Sequence, residues 1–436
     1  MMKNKKLLVI GSYPSQGKIH SRRVVGCASY GKSTVLSIQK KASDNLDITV
    51  LADIFRKKTS YKDQQVHIKR VWKSNSFLSF PKLFIEIFKN YKDTKNILFE
   101  FEVMMFGKIF YLLPLPFFNF TLKLLGKKIT FVCHQVIKDI RDFEGHVNIN
   151  KESPKNHILN FIISVFYRLI ILSVNKVIVF DEELKNNLAA FGDESKIKVI
   201  PLAFRPLDKN VSRPVARKNL MLKDEEFTIL CFGFLAWYKG TDWIIEAYKK
   251  FPKSINGKKI KLILAGGPAR NHRDKEFYKN YVSWIKEETK KHNIMLAGFV
   301  PEEEIANYYQ ASDIVIFPYR LQMSASGPLS MAYSFKKPVL VSNRLSKIFN
   351  TGDLKEIIKK ENLSIDELTF KLNYGDFVKK ISMLQKNPSY LKSLTNISAG
   401  VSKERSWEKI GALHFDEIFE EMPQRRFSLG YVFLRS

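Results

Sequence analysis

Cysteine is scarce. The 436 residues hold three, Cys27, Cys133 and Cys231, an odd number set far apart and without metal-ligand spacing, which excludes a disulfide framework and a zinc module. A reducing compartment follows, so a cytoplasmic protein is expected, with peripheral attachment to the inner face of the membrane as an extension of that placement. No long Pro/Ser/Gly tract is present, so no disordered arm is expected. Long apolar runs are missing as well. Ile109–Leu125 is broken by Pro114 and Pro116, and Ile158–Val174 carries Arg168 near its middle. A membrane span wants about 20 apolar residues, so both stretches are read as buried core helices, the alternative being a surface that dips into the lipid–water interface. Leu7–Ile10 follows a basic start but is far shorter than the roughly 7–15 apolar residues of a signal peptide. It is read as a first β-strand.

Negative charge is under-represented: 43 Asp and Glu stand against 72 Lys and Arg, a net charge of +29. Such a surplus attracts polyanions, whether nucleic acid, anionic lipid or phosphorylated small molecules. Nucleic acid is not expected, because no Cys/His finger, aromatic RNP-like strand or basic heptad helix is present. A chain rich in Lys, Asn and Ile also acquires positive charge from base composition alone.

What is present is alternation. Apolar strands at Leu7–Ser12, Asp47–Leu51, Ile97–Phe101, Lys128–Cys133, Val177–Phe180 and Ile197–Ile200 are separated by helical patterns such as Ser29–Lys40 and Pro81–Lys89. A second series follows at Thr228–Phe232, Lys261–Ala265, Ile294–Leu296, Ile314–Phe317 and Val339–Ser342, with helices at Asp242–Phe251, Asp274–Lys291 and Pro328–Phe335. Strands alternating with helices give parallel sheets. The class is therefore α/β, with two Rossmann-like domains facing each other across a cleft and ligands at the carboxyl ends of the strands. The boundary falls in the proline-bearing loop Pro201–Pro214. We divide the chain into a first domain (1–205), a second (206–400), a closing helix (401–422) within a helical stretch from Tyr390 to Met422, and a basic tail (423–436).

Five segments of the second half resemble the retaining, GT-B-fold glycosyltransferases of family 4. They are Phe232-Gly233-Phe234-Leu235-Ala236-Trp237-Tyr238-Lys239-Gly240, Leu264-Ala265-Gly266-Gly267-Pro268, Ala311-Ser312-Asp313 leading into Ile314–Pro318, Lys337-Pro338-Val339 leading into Ser342, and Ser406-Trp407-Glu408-Lys409-Ile410. In the first half, Val25-Gly26 and Phe131-Val132-Cys133-His134 are similar to that family's glycine turn and cleft-histidine strand.

The resemblance implies an enzyme that moves a hexose from a nucleotide-diphosphate sugar to a glycan or lipid-linked acceptor, with retention of configuration. It implies cell-surface polysaccharide or glycoconjugate assembly as the setting, and the basic charge with the Phe/Leu-rich first domain adds an anionic membrane surface as an expected further partner. The nucleotide sugar is a substrate, and no cofactor is expected. No Asp-x-Asp pair occurs, so no metal is expected either. A diphosphate leaving group needs positive charge and aimed N–H groups. Lys239 supplies the first, and Ser324, Ser326 and Gly327, at a helix N-terminus, supply the second. Gly26 is expected to let the backbone approach the sugar diphosphate. His134 is placed on the cleft floor, touching the donor sugar or the acceptor.

The pattern also departs from the family. Met323 and Met331 stand at the family's two loop glutamates, and Phe234 replaces its phosphate-loop arginine. Arg320 and Gln322, polar and close by, are counted with the donor-binding residues. Two other readings remain. Loss of both acids fits a non-catalytic glycosyltransferase-like partner protein. Gly26-Cys27-Ala28-Ser29-Tyr30-Gly31-Lys32-Ser33 also matches the NTPase phosphate loop, with Asp181 as the magnesium-holding acid, although Leu7–Ser12 ends well before it.

Overall fold

The computed structural model describes residues 5–16, 26–55, 57–103, 105–143, 152–203, 211–252, 254–269, 275–322 and 324–420. The first sheet has eight strands: β1 (Lys5–Ile10), β2 (Leu46–Asp53), β3 (Ser60–Asp63), β4 (Val66–Trp72), β5 (Asn96–Phe101), β6 (Lys128–Cys133), β7 (Lys176–Val179) and β8 (Ile197–Val199). Their order is β3-β4-β2-β1-β5-β6-β7-β8, and only β3, an edge strand, runs antiparallel to its neighbour. Leu7 to Ile10 are all buried. Helices cover both faces of the sheet's centre, so β1, β5, β6 and β7 are buried almost throughout, without alternation.

Five helices flank this sheet: α1 (Gly26–Ala42), α2 (Ser79–Asn90), α3 (Leu115–Leu124), α4 (Lys155–Ser173) and α5 (Glu182–Ala189). From β1 the chain steps one way to β2, and from β4 it steps the other way through β5, β6 and β7. Right-handed crossovers therefore put α1 on one face and α2, α3 and α4 on the other.

The expectation of two buried core helices fails at α3 and α4. Ile109–Leu112 is a separate 3-10 turn, and α3 begins only at Leu115. Leu115, Phe118 and Leu122 of α3, and Ile163, Tyr167, Ile170 and Ile171 of α4, face the sheet and are buried. Their outer faces are bare, and only 33% of the α4 apolar window is buried. A helix in an outer layer covers the sheet with one face, whatever the composition of the other.

The second sheet contains β9 (Glu226–Phe232), β10 (Ser254–Ile255), β11 (Lys258–Ala265), β12 (Met295–Gly298), β13 (Ile314–Phe317), β14 (Val339–Ser342) and β15 (Thr369–Phe370). Its order is β10-β11-β9-β13-β14-β15, with β12 added to β11. The helices of this half are α6 (Arg213–Asn219), α7 (Thr241–Lys249), α8 (Glu276–Lys291), α9 (Ile305–Ala311), α10 (Gly327–Ser334), α11 (Gly352–Lys360), α12 (Tyr374–Lys386) and α13 (Pro388–Glu404).

The expected helix from Tyr390 to Met422 is two helices. Arg405 ends α13 and is held by Asp353 (Nε to Oδ2 2.6 Å). Ser406 then caps α14 (Trp407–Phe419), which returns to the first domain. Ile410 and Ile418 enter that domain's core, and the Lys176 ammonium donates to Glu417 at 2.7 Å. Gly411 lies so close to Ser37 of α1 that a Cβ would collide with it.

His414 of α14 is fully buried and hydrogen-bonds the Tyr30 hydroxyl at 3.0 Å. Burial, and then the nearby His134, push its pKa from 6.5 down to about 3. A depressed histidine pKa means that unfolding takes up a proton below the unfolded value. Stability present above pH 6.5 is therefore lost as pH falls toward 3, by up to ~1.4 kcal/mol per unit. His414→Gln should flatten the fall of Tm between about pH 6.5 and 4. Superimposable Tm–pH curves would contradict this role.

Candidate functional site

The strand order of the second sheet reverses between β9 and β13, and the crevice beyond such a reversal is where open α/β sheets take ligands. Two loops meet there. After β9 the chain passes Gly233 (φ +137), makes the 3-10 turn Trp237–Lys239 and leaves through Gly240 (φ +70). A side chain at Gly240 would strike the Pro318 carbonyl, and one at Gly266 would strike the Gly233 carbonyl. These glycines let the loops after β9, β11 and β13 lie on one another.

Lys239 folds back over Gly233. A Cβ built on Gly233 would stand 2.8 Å from Lys239 Nζ and 3.4 Å from Pro328 Cγ. The ammonium and the first turn of α10 therefore border the same glycine. Lys239 Nζ also lies 5.1 Å from the Tyr319 ring centre and 5.8 Å from that of Tyr238. Burial raises both phenol pKa values, so both rings stay neutral.

Ser326 caps α10 by accepting from the Leu329 amide at 3.3 Å, and its hydroxyl meets the Tyr319 hydroxyl at 3.1 Å. The Gly327 amide, first in the helix, has no intrahelical acceptor. A Cβ there would meet nothing within 4 Å. The crevice behind Lys239, lined by Phe232, Gly233, Ala265, Ile316, Pro318 and Tyr319, has about 20 Å³ of space. That is room for one water molecule; a diphosphate would lie on the open side, toward Gly327. A point charge and a helix N-terminus around one open spot could together hold an anion.

The first sheet reverses between β1 and β5. His134, directly after β6, sits beside Glu100 of β5 (Nε2 to Oε2 2.7 Å), and both are buried. A carboxylate only accepts, so Nε2 carries the proton. Tyr30 and Phe180 each meet the imidazole edge-on at 5.0 Å. Sequence reasoning missed Glu100, although an acid inside the apolar run Ile97–Phe101 was the available signal. Gly26 opens α1 at this edge, next to Cys27, whose thiol hydrogen-bonds Glu102.

The phosphate-loop reading fails on geometry. Gly26 to Ser33 are helix, not loop. Lys32 is buried and paired with Asp63 at 2.6 Å, and Asp181 caps α5 by accepting from Leu184.

The loop after β13 crosses the cleft. Ser324 forms a backbone bridge with Gln135, Ala325 packs on the first-domain core, and the Gln322 amide donates to Asp181 at 2.6 Å. Arg320 makes two 2.8 Å bonds to Asp242 and one of 2.6 Å to the Trp237 carbonyl. Arg320, Gln322 and Ser324, grouped above with the donor-binding residues, are thus engaged by protein. Arg320 braces the Lys239 turn, while Gln322 and Ser324 link the domains. Lys239, Ser326 and Gly327 converge on one open spot, whereas His134 and Gly26 lie on the opposite wall. Met331 packs against the second core, and Met323 lies outside the described residues. Among the described residues no group of three His, Cys, Asp or Glu could hold a metal ion.

Comparison with known proteins agrees with this architecture. Residues 212–396 match the family described as Glycosyl transferases group 1. An uncharacterized glycosyltransferase of Methanocaldococcus jannaschii is 28% identical over 194 residues, covering 43% of this chain and 45% of the relative. The match thus spans less than half of that relative's length. Sucrose-phosphate synthase from Thermosynechococcus elongatus superposes with a TM-score of 0.67 at 16% identity, over 94% of this chain and 97% of the other. HepE of Anabaena, solved in complex with UDP-glucose, superposes with a TM-score of 0.60 at 14% identity, over 94% and 98%. The fold is that of the GT-B glycosyltransferases, two Rossmann-like domains across a cleft.

Proposed function

We propose that this chain transfers a hexose from a nucleoside-diphosphate sugar to a hydroxyl of a glycan or lipid-linked acceptor, with retention of configuration and without a metal ion. The observation that carries the reading is the meeting of the Lys239 ammonium and the α10 N-terminus beside Gly233, at the switch point of the second sheet. In the transfer, the bond from the sugar C1 to the distal phosphate oxygen breaks and C1 bonds the acceptor oxygen. The acceptor proton passes to the leaving phosphate on the same face. Charge grows on that phosphate as the bond breaks, and a fixed cation and an aimed amide stabilise it there without reorganising. The group 1 match and the likeness to a protein solved with UDP-glucose support a nucleotide-sugar donor. His134, held by Glu100, is assigned to the wall facing the donor sugar and acceptor. Gly26 is assigned to close backbone approach on that wall.

Met331 gives a second reading its one foothold. Its side chain packs, half-buried, against the second core, where the family's second glutamate would otherwise stand, and a thioether is a poor partner for a ribose hydroxyl. A chain that binds donor without transferring sugar would be the non-catalytic form. UDP-, GDP- and ADP-sugars should be screened by thermal shift and by product formation, with EDTA present. One base class is expected to raise Tm by a few degrees at 100 times its Kd and to yield transferred or hydrolysed sugar. Binding without either product would select the non-catalytic reading, and dependence on added magnesium would contradict the metal-free one.

A further inference from the structure

The outer face of α2, α3 and α4 is apolar to a degree that a water-facing layer ordinarily is not. Phe117 is 69% exposed, Phe161 68%, Leu124 73% and Phe110 63%. The three helices form one continuous layer. Phe77, before α2, meets Tyr111 at 4.5 Å with its ring tilted by 50°; Phe80 of α2 meets Phe118 of α3 at 5.4 Å; and Lys123 of α3 donates to the Leu172 carbonyl of α4 at 2.8 Å. Positive charge dominates this layer. Lys82, Lys89, Lys108, Lys155 and Arg168 are exposed among the apolar side chains. Neither α3 nor α4 contains an Asp or Glu, and the one acid of α2, Glu86, is paired with Lys69.

We propose that this face docks the protein on an anionic lipid bilayer, lying in the interface rather than crossing it. Exposed Phe, Leu and Ile at the level of lysines and an arginine match an interfacial helix layer, whose apolar side chains enter the acyl boundary while cations meet the headgroups. A second copy of this chain fits the face poorly, since the layer carries unbalanced positive charge and the whole chain is +29. The helices start at the carboxyl ends of the strands, so Phe77, Phe110, Phe117, Ile158 and Phe161 lie toward the cleft rim. A lipid-linked acceptor for the transfer proposed above would then arrive from the same surface, whereas lipid binding is measured without any transfer.

The full chain is floated with vesicles of phosphatidylglycerol and phosphatidylcholine, and with pure phosphatidylcholine, at about 0.1 M salt. Binding to the anionic vesicles is expected, together with a blue shift of the Phe117→Trp variant's emission when they are added. Phe117→Ser with Phe161→Ser, and separately Lys82→Glu with Arg168→Glu, should each lower partitioning at least about tenfold at an unchanged Tm, because all four side chains are exposed. Absence of binding to the anionic vesicles, an emission of the Phe117→Trp variant that the vesicles leave unmoved, or binding that neither pair reduces would overturn the proposal. So would a dimer that the Phe117→Ser, Phe161→Ser pair dissociates, because the face would then belong to a second copy.

Discussion

Lys239→Ala is expected to lower kcat/KM for the proposed sugar transfer by about 10²- to 10³-fold, a loss of some 3–4 kcal/mol in transition-state stabilisation. The ammonium borders the same glycine as the α10 N-terminus, so in the proposed transfer it would face the place where charge appears as the diphosphate leaves. Its removal should cost more in the transition state than in the ground state, and kcat should fall further than donor affinity. The fold should be untouched. The turn that carries Lys239 is held by backbone bonds, Lys239 N to Ala236 O and Gly240 N to Trp237 O, and by Arg320 on the Trp237 carbonyl. A variant with wild-type Tm and wild-type kinetics would remove Lys239 from the site.

The second large effect is expected at His134. Glu100 is 2% exposed; among the described residues its Oε2 pairs with this histidine and its Oε1 is buried without a hydrogen-bond partner. Removing the imidazole leaves a buried carboxylate uncompensated, and such losses cost about 3–5 kcal/mol. His134→Ala should therefore be strongly destabilised. His134→Ala combined with Glu100→Gln should recover a good part of that loss, because a neutral amide is cheaper to bury than a charge. Activity separates this structural effect from the proposed contact with sugar or acceptor. Transfer should stay at least about tenfold down in the restabilised double variant, while Glu100→Gln alone, which keeps the histidine in place, should retain more of it. Denaturant titration and steady-state kinetics on the three variants give both readouts. A double variant no more stable than His134→Ala would refute the pairing account, and full activity in the double variant would refute the contact.

Much of the architecture was legible because parallel strands buried on both faces are written as largely apolar runs. Leu7–Ile10, Ile97–Phe101 and Ile314–Phe317 leave no other reading once helical patterns separate them. Gly233, Gly240 and Gly266 mark the loops for a related reason: the positions at which one strand end touches the next admit no side chain. The β3–β4 hairpin was not read, because Ser60–Asp63 is polar and Val66–Trp72 mixes Lys, Arg and His with its apolar residues. The covering of α4 was not legible either. A helix that is apolar all round does not declare which side meets the sheet, and composition alone favoured burial.

Long polar side chains were the hardest to assign. Arg320 and Gln322 stand next to the expected site in sequence, yet their partners, Asp242 and Asp181, lie 78 and 141 positions away. Tertiary geometry selects among acids that a linear reading treats alike. The local geometry of Lys239 and Gly327 was easier to read, because a lysine before a helix-starting glycine and a Ser-Gly-Pro turn each define their own backbone.

The central claim is that a pyrophosphate binds between the second domain's loop lysine and the N-terminus of α10. The structure of the full chain in complex with the preferred nucleoside-diphosphate sugar, or with its nucleoside diphosphate, tests it most directly. The account predicts diphosphate oxygens within hydrogen-bonding distance of Lys239 Nζ and the Gly327 amide. A saturated complex whose diphosphate sits elsewhere, with both groups still facing solvent, would contradict it.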